Sequence, residues 1–322
     1  MLPRLKPLLP LLLLLCSAHP LAAQVRSFAV TSENDAYNFW IPFAVRPDQE
    51  YTNGMELAAE LGGAPLWGRL LRGRSPCGAD SAGACLSTRL RFGQKIFTPR
   101  TDYATPDQRP YAGWLYLGAA ASVERAHVRR SADVEIGVTG PPSQGEWVQT
   151  TVHDLAGFRP VPGWKEQLRT EPGVVLRYGE ERLLDAATPG GVRVADAVPY
   201  WGAAAGNVLT GAHGGVRLRA GYGVPAPWGR PVRRGPFALY AVAGARAEWT
   251  LRDLFLDGNT FRDGPRVDRI PFVGQYEIGA GARAGPVGLE YRVVSRTRSY
   301  RTEPTGHQYG SFEVTISTKA QR

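Results

Sequence analysis

The stretch from Phe237 to Arg252 leaves the backbone one conformation. Phe237, Leu239, Ala241, Ala243, Ala245, Ala247, Trp249 and Leu251 fall on one parity, and Tyr240, Arg246, Glu248, Thr250 and Arg252 on the other. A helix has a period of 3.6 and would scatter these residues round its circumference; a strand, with period two, keeps each set on one face. Shorter copies of the pattern recur. Met55, Leu57, Ala59 and Leu61 stand opposite Glu56 and Glu60, and Val216, Leu218, Ala220 and Tyr222 opposite Arg217 and Arg219. Val287, Leu289, Tyr291 and Val293 oppose Glu290 and Arg292, and Phe312, Val314 and Ile316 oppose Glu313 and Thr315.

Strands are expected near 26–33, 53–61, 88–97, 113–124, 131–138, 172–180, 195–203, 214–223, 236–252, 270–284, 286–297 and 307–317, the seventh being the weakest. This is an all-β chain of about twelve strands, an even number. Gly 38 and Pro 26, spread without a period among apolar stretches, fit many tight turns and exclude collagen. A soluble β-sandwich with one wet face per sheet gives the same alternation. A closed antiparallel transmembrane β-barrel gives it too, with the charged face turned to a polar lumen and the apolar face to lipid. The final residues, Thr-Lys-Ala-Gln-Arg, lack the terminal aromatic of many outer-membrane barrels, which a short tail after Ile316 would explain.

The N-terminus favours export. Arg4 and Lys6 precede a leucine run ending at Leu15, and Ala22 and Ala23 follow, so residues 1–23 are expected to be a cleaved signal peptide and 24–322 the mature barrel domain. No later apolar run reaches the ~20 residues that a spanning helix needs. Cys77 and Cys85 lie in the turn-rich SPCGADSAGACLS, which in an exported chain reads as a loop-stapling disulfide; no third ligand at zinc spacing is nearby. Losing Arg4 and Lys6 lowers the formal charge from +9 to +7. Without a basic cluster, and with an export signal, this charge does not indicate nucleic acid; arginines at a rim would instead suit phosphates.

One segment breaks the strand pattern. GEWVQTTVHDLAG, Gly145 to Gly157, places Trp147, Val148, Thr151, Val152 and Leu155 at helical spacing and closes on Gly157 and Pro160, predicting a short helix that carries His153. On spacing alone His153 could be an ordinary surface or core histidine.

DQEYTNG (Asp48 to Gly54), QKIFTP (Gln94 to Pro99), DQRPYAGWLY (Asp107 to Tyr116), GVTGPPSQGEWVQTTVH (Gly137 to His153), GWKEQL (Gly163 to Leu168), Gly206-Asn207-Val208 and LDGNTF (Leu256 to Phe261) resemble, in order, the signature blocks of the LpxR family, outer-membrane lipid A 3'-O-deacylases. The resemblance implies a twelve-stranded barrel in the outer membrane of a Gram-negative bacterium. It implies an esterase that requires calcium and releases the 3'-linked acyloxyacyl chain of lipid A, with lipopolysaccharide and outer-membrane lipid as its partners and no obligate protein partner. The positions matching the family's active site are Asn34, Asp35, Thr52 and His153. In that role His153 would take a proton from the attacking water, and Asp35 with Asn34 would bind Ca2+, a hard cation that prefers oxygen.

Each residue also has a plain structural reading. Asn34 and Asp35 are adjacent and could form a strand-ending turn, and both reach one site only if the strand ends or bulges there. Thr52 could simply precede an Asn53-Gly54 turn. Where the family pattern has a glutamate six residues after the histidine, this chain has Arg159, which can neither bind calcium nor orient the imidazole. Asp154, Glu166 and Glu146 are the neighbouring acids in sequence. Asp48, Asp107, Arg109 and Gln149 belong to matched blocks without assignable roles. A noncatalytic barrel of the same fold, structural or lipid-binding, is the alternative.

Overall fold

The computed structural model describes residues 25–38, 49–63, 75–77, 84–100, 105–158, 161–228 and 237–318. The signal-peptide segment, Asp48, Arg159 and Pro160 lie outside them. Twelve long strands follow one another: β1 (Val25–Asn34), β2 (Glu50–Gly62), β3 (Cys85–Thr98), β4 (Ala112–Glu124), β5 (Val128–Thr139), β6 (Glu171–Arg182), β7 (Ala195–Gly206), β8 (Leu209–Tyr222), β9 (Phe237–Asp253), β10 (Phe272–Ala284), β11 (Val287–Arg296) and β12 (His307–Ser317). Each pairs antiparallel with its neighbours, and β1 pairs with β12 from Ser27↔Ser317 to Asn34↔Gly310, so the sheet closes into a barrel. Closure rules out the sandwich and leaves the twelve long strands without a free sheet edge.

Alternation sets the two faces. Phe28, Val30, Leu57, Phe92, Leu117, Leu176, Leu218, Leu239, Ile278, Leu289 and Ile316 are exposed and point outward as an apolar belt. The opposite parity fills the lumen with charge, much of it in ion pairs, because an unpaired ion in a narrow interior is costly. Arg91 meets Asp133 at 2.5 Å and Glu56 at 3.7 Å; Arg177 meets Glu135 at 2.9 Å and Asp133 at 3.1 Å. Farther round, Glu277 is shared by Arg217 at 3.0 Å and Arg292 at 2.9 Å, while Glu248 is shared by Arg246 and Arg296. Cavities of about 540 and 250 Å³ remain between these pairs.

The weakest expected strand, β7, is well formed despite Pro199. Its pairing with β6 stops at Tyr200↔Glu181, and a short strand, Leu184–Ala187, resumes at Ala197↔Leu184. Pro199 sits in that gap, where its missing N–H costs no ladder bond on that side. A second short strand, Ser75–Pro76, runs parallel to the start of β3 beside the disulfide Cys77–Cys85, whose Cα atoms are 4.8 Å apart.

Both ends of the described chain and this disulfide lie at one end of the barrel. The connections at the other end, the rim, include 35–49, 99–111, 140–170, 254–271 and 297–306. Two of them carry helices, α1 (Gly145–Ala156) and the single turn α2 (Leu254–Asp257). Trp114, Tyr116, Leu168, Val175, Val208, Leu254 and Phe255 pack as a buried cluster beneath the rim.

Candidate active site at the barrel rim

β1 ends at Asn34. Its side chain accepts the Ala36 N–H at 2.7 Å and caps a 3-10 turn, Asp35–Tyr37, so Asp35 leaves the strand as the turn begins. The strand-ending turn and the gathering of both side chains at the rim are therefore one feature. Asp35 is buried, and its Oδ2 accepts the Gln49 N–H at 2.8 Å. The turn folds down the outer wall. Tyr37 packs edge-on against Phe312 with ring centroids 5.4 Å apart, Tyr291 donates to the Tyr37 carbonyl at 2.6 Å, and glycine at Gly310 leaves room for the Tyr37 backbone.

Asn53 and Gly54 do not form a turn. β2 begins three residues earlier than the alternation indicated, and Asn53 and Gly54 lie within it. The register with β3 slips between Tyr51 and Asn53, a bulge that adds one residue at Thr52. The Tyr51 hydroxyl, in the lumen, donates to Glu33 at 2.6 Å and crosses the face of Gly54, where a side chain would collide with the ring. Thr52 is buried, and its hydroxyl shares a 2.6 Å hydrogen bond with the hydroxyl of Thr98 at the end of β3.

The 140–170 connection also descends on the outer wall. Gln94, Ile96 and Gly113 share the outward parity of Phe92 and Leu117, yet Ile96 is buried. The Gln94 side chain donates to the Ser143 carbonyl at 2.7 Å, Ile96 lies under Tyr111 and Trp164 with Val148 of α1 against them, and a side chain at Gly113 would strike Ser143 and Gly145. Trp164 Nε1 donates to Gln149 at 2.7 Å and pins the helix. α1 ends on Gly157, at φ 71°, and His153 in its last turn is half-buried with its ring edge-on to Phe158, centroids 5.5 Å apart.

Around the barrel the order is β11, β12, β1, β2, β3, β4. The first excursion covers β11 and β12 and the second covers β3 and β4. Between them, over β1 and β2, lie Asn34, Asp35 and Thr52, with His153 on the flanking excursion. Asn34, Asp35 and Thr52 thus lie together over β1 and β2, and His153 stands on the neighbouring excursion, each tied into the rim by separate contacts.

Alternation and spacing missed the residues that hold this rim. Glu50 is buried with φ 65°, a backbone region unfavourable to a side chain, and its carboxylate meets Arg100 at 3.0 Å, Tyr300 at 2.8 Å and Arg109 at 3.6 Å. Arg109 also stacks on Phe97 at 4.5 Å. Glu303 beside them is buried; burial first, and then the Glu50 carboxylate, push its carboxyl above the ordinary range. Glu171 accepts from Asn207, Asn259 and the Thr260 N–H at 2.8–3.1 Å, joining three connections. The signal was present in the motif blocks: Glu50, Arg109, Tyr111, Gln149, Trp164, Asn207 and Asn259 all belong to them. Asp107, Glu146, Asp154 and Glu166 are exposed.

A closed antiparallel barrel with an apolar belt, a paired-charge lumen and an elaborated rim defines an outer-membrane protein. The sequence model for Outer membrane protein LpxR matches residues 8–318, and the chain belongs to the LpxR family. LpxR from Salmonella typhimurium is similar in structure, with a TM-score of 0.72 at 19% identity over 91% of this chain and 100% of that one. The translocator domain of the autotransporter NalP from Neisseria meningitidis gives a TM-score of 0.47 at 10% identity over 96% and 94% of the two chains. No curated protein matches in sequence.

Proposed function

We propose that this chain is a calcium-dependent esterase of the outer membrane that removes the 3'-linked acyloxyacyl chain from lipid A. The reading is supported by membership of the LpxR family together with the placing of Asn34, Asp35 and Thr52 at the rim beside the excursion that bears His153.

The donor set suits calcium. The Asp35 carboxylate and the Asn34 carbonyl oxygen are hard oxygen donors, and the Asn38 side-chain oxygen, three residues beyond Asp35, is buried without a hydrogen-bond partner. Asn34 and Asp35 would hold the ion, which when bound polarises the ester carbonyl and offsets the charge developing on its oxygen. His153 then has one task in two parts. A ring nitrogen takes a proton as water attacks the carbonyl carbon, and returns it to the 3'-oxygen as the C–O bond breaks, giving a free acid and a sugar hydroxyl.

A noncatalytic barrel is the second reading, favoured by Arg159 in place of the family's glutamate. Mass spectrometry of lipid A from cells making the protein, beside His153→Ala and a calcium-chelated control, separates the two. Loss of a 3'-acyloxyacyl group only with intact protein and calcium is expected. Unchanged lipid A from correctly inserted protein would leave the noncatalytic barrel as the better account.

A further inference from the structure

We infer that α1 is an in-plane membrane helix: its outer flank, Trp147, Thr151 and Leu155 with Val152 and Phe158 beside it, is immersed in the hydrocarbon edge of the bilayer's own outer leaflet. Among the described residues outside strands, five large apolar side chains are exposed, and four of them are Trp147 (64%), Val152 (46%), Leu155 (85%) and Phe158 (44%). The fifth, Phe261, stands alone.

The helix has three flanks. At about 100° per residue, Gly145, Val148, Gln149 and Val152 share the flank toward the wall, where Gly113, Ile96 and Trp164 receive the first three while Val152, in the next turn, stays 46% exposed. Trp147, Thr151 and Leu155, spaced by four, form an apolar ridge on one side. Glu146, Thr150 and Asp154 form a polar ridge on the other, with His153 between that ridge and the wall. The single hydroxyl on the apolar ridge is satisfied internally, since Thr151 donates to the Trp147 carbonyl at 2.7 Å. A protein flank, an oily flank and a wet flank are what a helix lying at an interface requires, with tryptophan at headgroup depth.

Continuity with the barrel's lipid face identifies the occupant. α1 is seated on outward-facing positions of β3 and β4, and the exposed belt residues Phe92 and Leu117 lie two residues below Gln94 and four below Gly113, roughly 7–13 Å along the wall. The exposed ridge therefore extends the belt upward at one sector of the circumference.

The test uses the full chain in phosphatidylcholine vesicles without lipid A, carrying a nitroxide at Leu155→Cys, Val152→Cys, Thr150→Cys or, as the belt reference, Leu117→Cys. Labels at 155 and 152 should be relaxed more strongly by oxygen than by a water-soluble nickel chelate, as at 117, and the label at 150 should show the reverse. An aqueous signature at 155 and 152 overturns the inference. So does burial that appears only when lipid A is added, which would assign the ridge to substrate chains. Because no turnover is measured, this result is independent of the esterase reading.

Discussion

Individual residues at the rim are held by more than one partner, and that sets what a substitution does there. Asp35 is fixed by the turn it starts and by the Gln49 N–H, so Asp35→Asn should keep the local backbone while removing the charge. Loss of even an outer-shell partner weakens metal binding by about 10–100-fold, and loss of a direct carboxylate ligand should cost at least as much. A calcium titration of deacylation should move to higher calcium by that factor in Asp35→Asn; an unchanged titration would take Asp35 out of the ligand set. Glu303 behaves in the opposite sense. Its folded-state pKa is raised from the ordinary 4.5, so the folded state holds the proton more tightly than the unfolded one, and stability declines as pH rises through the raised pKa. Glu303→Gln keeps an acceptor for Ser299 and removes the titration. The urea midpoint of the native protein, relative to the variant, should fall between pH 4.5 and pH 8, and an unchanged difference would remove Glu303 as the titrating group.

At the scale of elements, the twelve long strands were legible in the sequence because a half-buried barrel strand must alternate, and alternation is visible in one chain; the short strands Ser75–Pro76 and Leu184–Ala187 carry too few residues to show it. The helix over 145–156 was legible because its period breaks that pattern and Gly157 ends it. The bulge at Thr52 was not: nothing local distinguishes a bulged Thr-Asn-Gly from a turn, and the bulge follows from Tyr51 turning inward to Glu33, a contact from another strand. The same limit applies to the rim clamp. Glu50 meets Tyr300 across 250 residues, a separation that only the closed barrel brings together. Motif resemblance reached these residues without saying what they do, and the structure gives many of the block residues the task of holding connections in place. Gly113 offers a test at this scale. Gly113→Val should displace the 140–170 excursion from the outer wall and reduce deacylation by more than tenfold, at the level expected when catalytic groups are misplaced by about 1 Å. The heat-modifiable gel mobility of the barrel should persist, showing that the loss comes from the excursion and not from the sheet.

On the scale of the whole molecule, the lumen and the outer wall divide the work. Arg91, Arg177, Arg217 and Arg292 with Asp133, Glu135 and Glu277 cross-link the interior, so the charges that make a polar lumen also obstruct it. Planar-bilayer recordings should show no stable porin-like conductance, and a steady open channel of that size would contradict this assignment of the interior.

Asn34, Asp35 and Thr52 lie at the rim over β1 and β2, and on the esterase reading that changes the meaning of concentration for this protein. A lipid that reaches Asn34, Asp35 and His153 from the leaflet arrives by diffusion in two dimensions without leaving the bilayer. The quantity that sets occupancy is then its mole fraction among neighbouring lipids. Diluting such a lipid with inert lipid should slow the encounter even when its total amount in the sample is unchanged, whereas adding buffer should not.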